Sequence, residues 1–593
     1  MVSVKTEVAS DTYLVGIGVS PGISIGAITL LGHRSTVEDR PIEAADVEAE
    51  IERFNWALSQ ARKQLQEIKE TVSRKPHLRE HLYILDTHLL ILDDEMLVGE
   101  TERAIREQIS CESALTKVLQ HLRQMFENIE DEYLRDRQSD VDAVGGRLMR
   151  ILTGEHERSI TDIEQNTLIV AHDLSPTDTM QLDREKVLGF ITDKGGRTAH
   201  TAILARSLEI PAVVGLETIT SLVYDRLPVI IDGGTGVVIL NPSKETFTEY
   251  LTRKQTYEYL EKELDSFRDL PAITTDKFKV ALRGNLELSS EFPLARKHAA
   301  EGVGLYRTEF LYLGRSEPPG EEEQVATYRQ ILEEMQPHPV TIRTLDIGGD
   351  KVVSGLTLPC EENPAMGLRG VRFSLREGEL FKVQLRAILR ASAYGEVRIM
   401  FPMISGIVEL RTCKRLLCQV QSGLQEEGID FDPKVKIGMM IETPSAVLLA
   451  PFFAEEVDFF SVGTNDLIQY CLAVDRGNEH VAYLYNPMHP AILRALKTVC
   501  AAADQAGIEV CVCGEMAAEP LYTIVLLGLG LRELSMNPAS IPRVKRVLRQ
   551  VSRQDGQALL EELLALRTSK EITICLEQRM RMLLPGIFEN ALI

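Results

Sequence analysis

No apolar run in this 593-residue chain approaches the roughly 18 residues that a membrane-spanning helix needs, which excludes a helical membrane anchor on sequence grounds. The N-terminus also lacks a basic region followed by an apolar stretch and a cleavage site, so a cytoplasmic protein is expected. The nine cysteines include no Cys-x-x-Cys spacing, which suggests neither a zinc site nor a disulfide framework and fits a reducing compartment. Basic residues are few: 65 Lys and Arg stand against 88 Asp and Glu, a net charge of -23 that argues against nucleic-acid binding. That surplus suits a partner with a basic face, or simply keeps the surface solvated. No glycine-rich phosphate loop followed by lysine occurs, so a nucleotide substrate is not expected. Composition is otherwise ordinary for a globular chain, 44% hydrophobic and 26% charged, and the length suits about three or four domains.

What is present is more specific. Gly195-Gly196-Arg197-Thr198-Ala199-His200-Thr201 sets one histidine at the start of a helix behind paired glycines. Glycines let the backbone turn tightly, and the first amides of a helix then point unpaired at whatever the turn presents. Such amides bind anions. Arg197, Thr198 and Thr201 lie near enough in sequence to contact the oxygens of a phosphoryl group on His200, whose neutral imidazole is a nucleophile. The same heptapeptide also reads as a helix-capping turn. An apolar strand at 187–193 precedes it, and 203–215 reads as helix, stop and next strand.

Residues 12–32 form apolar strands around Ser20-Pro21-Gly22 and need a sheet to join. The chain after them reads as helical, so their partner is the region around His200 and the helices are an insertion. Val47, Ile51, Phe54, Leu58, Ala61, Leu65, Ile68 and Val72 alternate spacings of four and three, the seam of one long helix. A second apolar helix covers 81–98, a third follows the stripe Leu115, Val118, Leu122, Phe126, Ile129 and Tyr133, and a fourth carries Val141, Val144, Leu148 and Ile151. Four packed helices are predicted. Such a bundle reads equally as a docking surface for a protein acceptor and as a plain structural insert; His77, His81 and His88 read as surface or cap residues. Residues 243–269 are charge-rich and helix-favouring, a connecting helix ended by Pro271.

Beyond it, apolar strands recur at 278–285, 302–307, 339–346, 397–403, 435–442, 457–463, 508–513 and 531–536, with helical segments between them. Eight such units predict a parallel barrel, whose active site lies at the C-terminal ends of the strands. Those ends carry Arg307, Arg343, Glu442, Asn465-Asp466 and Cys513, with Arg476 shortly after. Two arginines can fork around phosphate and carboxylate, two carboxylates from adjacent strands suit magnesium, and a thiol can move a proton. Arginines and carboxylates also pair across barrel loops, and a cysteine among apolar residues is often merely buried.

From Gly302-Val303-Gly304 to Cys513-Gly514-Glu515 the second half looks like the phosphoenolpyruvate-binding barrel of enzyme I of the sugar phosphotransferase system. The segment around His200 resembles the phosphohistidine domain that enzyme I shares with pyruvate phosphate dikinase and phosphoenolpyruvate synthase. Those two carry a large ATP-grasp domain, for which this chain has no room, and the resemblance to enzyme I covers essentially its whole length. The fold it implies is multidomain α/β: a swivelling phosphohistidine domain (1–43 and 155–242), an inserted four-helix subdomain docking a phosphocarrier protein (44–154), a connecting helix (243–270), and a (β/α)8 barrel that binds phosphoenolpyruvate and dimerises (271–593).

The resemblance implies that His200 takes the phosphoryl group of phosphoenolpyruvate and passes it to a histidine-containing phosphocarrier protein. Thr179, Arg197 and Thr198 would support the phosphohistidine. Arg307, Arg343, Arg369, Asn465, Asp466 and Arg476 would hold substrate, Glu442 and Asp466 would bind Mg2+, and Cys513 would protonate the enolate of pyruvate. Ala199 and Ala202 depart from the family pattern, where serines often flank the histidine. No sensory regulator domain is expected ahead of the first strand, an expectation that favours the sugar-transport branch over the nitrogen-related one. The alternatives are a catalytically silent paralogue that only binds the phosphocarrier, and a magnesium-dependent lyase, which would leave His200 without a task.

Overall fold

The computed structural model describes residues 10–31, 41–73, 82–127, 132–154, 166–174, 186–195, 205, 210–312, 317–348, 361, 363–475, 478 and 480–588. They fall into two compact units, 1–261 and 262–593. No helix among the described residues is long and apolar enough to cross a membrane.

The first unit is built on β1 (Thr12–Val15), β2 (Ile17–Ser20), β3 (Ile23–Leu31), β4 (Thr167–Ala171), β5 (Val187–Thr192), β6 (Ala212–Val214), β7 (Pro228–Asp232) and β8 (Val237–Leu240), in the spatial order β1-β8-β7-β3-β4-β5-β6-β2. β3, β4, β5 and β6 run parallel, while β1, β2, β7 and β8 pair antiparallel around them. β4 is buried along its whole length, as a central strand covered on both faces must be. At the turn between β7 and β8, a Cβ on Gly233 would lie 2.0 Å from the Ser20 carbonyl oxygen, so only glycine lets that turn approach β2.

Between β3 and β4, which pair with Ile28 opposite Leu168, the chain makes helices α1 (Val47–Ser73), α2 (Leu82–Ile91), α3 (Glu95–Arg106), α4 (Cys111–Glu127) and α5 (Glu132–Thr153). The alternating seam of α1 is buried at Ile51, Phe54, Leu58, Ala61 and Leu65, against Leu115 and Val118 of α4 and Val144 and Leu148 of α5. The stretch 81–98, read from its apolar content as one helix, is two. Asp94 adopts extended backbone, and its carboxylate accepts the Met96 N–H at 2.8 Å, an N-cap that starts α3 afresh. Tyr133, placed by periodicity on the third stripe, belongs to α5, and Ile129 lies outside the described residues. His88 is also not a surface residue: it is buried and its Nε2 meets Asp140 at 3.2 Å, a polar pair inside the bundle. His77 and His81 lie outside the described residues. A helix over Lys244–Phe267 then carries the chain from the first unit to the second.

The second unit is a closed barrel of eight parallel strands: β9 (Ala281–Leu286), β10 (Val303–Arg307), β11 (Val340–Arg343), β12 (Val397–Phe401), β13 (Lys436–Ile441), β14 (Phe459–Val462), β15 (Glu509–Val512) and β16 (Glu533–Met536), with β16 closing on β9. The period of two along each strand divides its side chains. Tyr306, Ile342, Ile399, Met439, Ile441, Phe460 and Val462 face the surrounding helices, in one apolar core with residues such as Leu385, Ile388 and Leu417. Leu305, Met400, Met440, Phe459 and Cys513 form a separate cluster inside the barrel. That alternation carries inward whatever stands two residues beyond Leu305, Thr341 and Met440.

Candidate active site

Two residues beyond those positions stand Arg307, Arg343 and Glu442. They therefore crown the barrel interior at the C-terminal ends of β10, β11 and β13, the end at which barrels of this kind hold their chemistry. Arg343 is buried; one terminal nitrogen contacts Glu309 and the other meets Asp346 at 3.0 Å. Arg369 approaches from the loop after β11. It meets Asp346 and Asp466 at 3.0 Å each and donates to the Tyr470 hydroxyl at 3.1 Å. Tyr470 in turn donates to the Ala365 carbonyl. Glu442 is buried and accepts the Met403 backbone N–H. A Cβ on Gly463 would lie 2.8 Å from Glu442 Oε2, so a glycine at the tip of β14 leaves that carboxylate its space.

Two guanidinium groups thus face four carboxylates. Burial, with the charges of Asp466 and Asp346, pushes the Glu442 carboxyl well above the usual carboxylate range against the pull of Arg343 and Arg369. Burial works against the charge of Arg343, yet Glu309, Asp346 and Glu442 hold it protonated more firmly than a free arginine. A buried cluster with surplus negative charge is one that a hard divalent cation would balance. Glu442 and Asp466, from adjacent strand ends, are the donors such a cation prefers.

Cys513 follows β15 inside the barrel. Its thiol faces the Val462 carbonyl at 3.6 Å, and its own carbonyl accepts from Asn285 Nδ2 at 2.8 Å. Burial pushes the thiol up to about 11; the Ser461 hydroxyl beside it pulls the other way. At neutral pH the group is a thiol, a proton donor rather than a metal ligand. Asn465 bridges to the next loop, accepting the Glu515 N–H at 3.0 Å and donating to the Glu515 carboxylate at 3.2 Å. Among the described residues the buried hydroxyls of Thr344 and Thr464 have no hydrogen-bond partner.

The geometry therefore brings together Arg343, Arg369, Glu442 and Asp466, with Arg307, Asn465 and Cys513 at neighbouring strand ends. Arg476, His200, Thr179, Arg197 and Thr198 lie outside the described residues. The strand that leads toward His200, β5, is followed by the buried Asp193, which bonds His172 Nδ1 at 2.8 Å and accepts the Thr220 N–H at 3.0 Å.

The chain matches the N-terminal domain of PEP-utilising enzymes over residues 15–137, their mobile domain over 163–236 and their PEP-binding domain over 261–553. A phosphoenolpyruvate-protein phosphotransferase of Haemophilus influenzae is 42% identical over 575 residues, covering 95% of this chain and 98% of its own. One from Bacillus sp. (strain S) is 43% identical over 564 residues, covering 94% and 96%, and one from Bacillus subtilis is 41% identical over 566 residues, covering 94% and 98%. This chain belongs to the phosphoenolpyruvate-protein phosphotransferase family.

It is an enzyme of the PEP-utilising class, and reading the strand ends of this family member missed part of its barrel mouth. Glu309 and Asp346 fix Arg343. Both follow an arginine by two or three residues, the signal that marks them. Tyr470 follows Asp466 by one helical turn and braces Arg369. Gln384 lies fully buried behind the site; it accepts the Leu345 N–H at 2.9 Å and donates to Thr308 Oγ1 at 3.0 Å, and Thr308 donates to the Arg343 carbonyl at 2.9 Å. No local pattern announces Gln384, because its partners come from two strands distant in sequence.

Proposed function

We propose that this enzyme transfers the phosphoryl group of phosphoenolpyruvate to its own His200 and from there to a histidine of a small phosphocarrier protein, as the first step of phosphotransferase-system sugar uptake in the cytoplasm. The observation that carries the reading is the buried cluster of Arg343, Arg369, Glu442 and Asp466 at the barrel mouth, with a protonated thiol on the next strand end.

In this reading Arg307, Arg343, Arg369, Asn465, Asp466 and Arg476 hold the phosphate and carboxylate of the substrate. Glu442 and Asp466 would hold Mg2+, which supplies positive charge beside the phosphoryl group when bound. The arginines draw charge from the phosphate as an imidazole nitrogen of His200 attacks in line; the N–P bond forms, the P–O bond breaks, and pyruvate leaves as its enolate. Cys513 gives its proton to the enolate carbon. Ketonisation then drives the transfer, and the reverse step takes the proton back. Thr179, Arg197 and Thr198 supply hydrogen bonds to the phosphohistidine.

The division of labour is that of residues 1–43 and 155–242 as the phosphohistidine domain, 44–154 as the carrier-docking helices, 243–270 as the connecting helix and 271–593 as a barrel that also dimerises. The test is incubation of the purified chain with Mg2+ and phosphoenolpyruvate carrying radioactive phosphate, beside His200→Ala and an ATP control. Acid-labile label from phosphoenolpyruvate alone, absent in the variant, is expected. Label that persists in His200→Ala, or none on the intact chain, overturns the proposal.

A further inference from the structure

Arg307 and Arg343 end neighbouring strands, yet they are restrained differently. Arg343 is buried and gripped from two sides by Glu309 and Asp346. Arg307 leaves 33% of its side chain in solvent, and one terminal nitrogen donates to Glu287, whose side chain is 30% exposed. β9 and β10 pair in parallel with Leu286 opposite Tyr306, so Glu287 and Arg307 are the next residues along at adjacent strand tips. The backbone of Glu287 is pinned from behind: the Glu291 carboxylate accepts the N–H of Glu287 at 2.7 Å and of Leu288 at 3.1 Å. The Glu287 carboxylate itself stays at the wet side of the site.

We infer that Glu287 is an internal competitor of the substrate: its carboxylate occupies the Arg307 nitrogen that an anionic group of phosphoenolpyruvate would take, and so sets the affinity of the site. The inference rests on the reading of Arg307 as a substrate-binding residue. A residue that aims a guanidinium holds it firmly, as Glu309 and Asp346 hold Arg343. Among the described residues the Glu287 carboxylate instead makes a single contact, between two partly exposed side chains, an arrangement that is weak, screened by salt and open to displacement by an anion of higher charge. Once displaced, the carboxylate still stands beside the incoming anion and repels it. Replacing it with a neutral isostere frees the guanidinium and removes the repulsion.

The test compares the wild-type full chain with Glu287→Gln and Arg307→Ala in the presence of Mg2+, measuring the Kd for phosphoenolpyruvate by calorimetry and kcat and KM in phosphoryl exchange between phosphoenolpyruvate and labelled pyruvate. Glu287→Gln is expected to lower Kd and KM about threefold to fivefold, with kcat within about twofold of wild type. The gain shrinks as KCl is added. A Kd that is unchanged or raised in Glu287→Gln, while Arg307→Ala weakens binding, overturns the competitor role and leaves the substrate reading of Arg307 standing. A Kd unmoved by Arg307→Ala overturns that reading and the inference with it. The calorimetric Kd decides both even without exchange activity.

Discussion

At the N-terminal end of the barrel, Arg283 and Arg398 both reach Glu533, at 2.7 and 3.4 Å, and Arg398 also reaches Glu509 at 3.0 Å. At the C-terminal end, Arg343 and Arg369 both reach Asp346 at 3.0 Å. Both clusters pair buried arginine with a buried carboxylate, Glu533 at one end and Asp346 at the other, and both leave some guanidinium N–H groups without a partner among the described residues, so imperfect pairing does not tell them apart. Charge does. At the floor Lys436 joins the two arginines opposite Glu396, Glu509 and Glu533, a balanced set, and the Arg398 guanidinium lies 5.7 Å from the centre of the Phe459 ring. At the mouth Glu309, Asp346, Glu442 and Asp466 outnumber the arginines, and Glu442 answers with a raised pKa. The floor is complete as it stands. A cation entering the mouth would stabilise it, as ligand binding stabilises a site and not a plug.

The sharpest way to break this contrast is to neutralise one carboxylate at each end. Glu442→Gln is expected to cut phosphoryl transfer from phosphoenolpyruvate by about 10²-fold or more while leaving Tm unchanged or higher, because it removes mutual repulsion from a buried site. Glu533→Gln strips the buried Arg283 guanidinium of its counter-charge and leaves Arg398 only the exposed Glu509 and Glu396; it is expected to cost about 3 kcal/mol of barrel stability with kcat close to wild type. An active Glu442→Gln, or an inactive but fully stable Glu533→Gln, would show that the charge difference does not separate site from plug.

A smaller effect sharpens the chemistry of the mouth. Burial raises the Cys513 thiol to about 11, Ser461 opposes it, Glu442 adds to it, and Arg343 and Arg307 oppose it. The thiolate is the reactive form, so alkylation at Cys513 followed by mass spectrometry should be slow through neutral pH and rise about tenfold per pH unit toward 11. A plateau near pH 8 would mean a thiol too acidic for the donor role.

The smallest expected change lies at the edge of the site. Burial pushes the Glu291 carboxyl up to about 7 from an ordinary 4.5; the Glu287 N–H opposes this, the Glu287 charge adds to it, and Leu288 N–H and Arg307 oppose it. The folded state binds this proton more tightly than the unfolded one, so the stability Glu291 contributes is fully present below pH 4.5 and is lost as pH rises to about 7. Glu291→Gln keeps an acceptor for the backbone N–H groups without the charge. Its Tm should gain on wild type by about 2 °C more at pH 8 than at pH 5. Parallel Tm values at both pH would show that water reaches the carboxylate freely.

The eight barrel strands were legible because each is a short apolar run ended by polar residues, and the alternation within each run carried Arg307, Arg343 and Glu442 to the same interior. The Asp94 cap was written in the chain but hidden inside an apolar stretch long enough to pass for a single helix. Tyr470, Gln384 and the Glu287–Arg307 pair were less legible, since their roles depend on which loops and strand tips come together.

By itself the amino-acid sequence determined the kinds of element, the closed parallel architecture of the second half and the inventory of reactive groups at its strand ends. These follow from local periodicity and from the rule that a barrel strand delivers its last inward residue to the mouth. Only the tertiary structure decided which carboxylate each arginine meets, that one buried ionic cluster is balanced and the other is not, and that the Arg307 guanidinium is shared with a carboxylate from the strand beside it. Charge is summed over neighbours in space, and strand tips separated by long helices become neighbours only when the barrel closes.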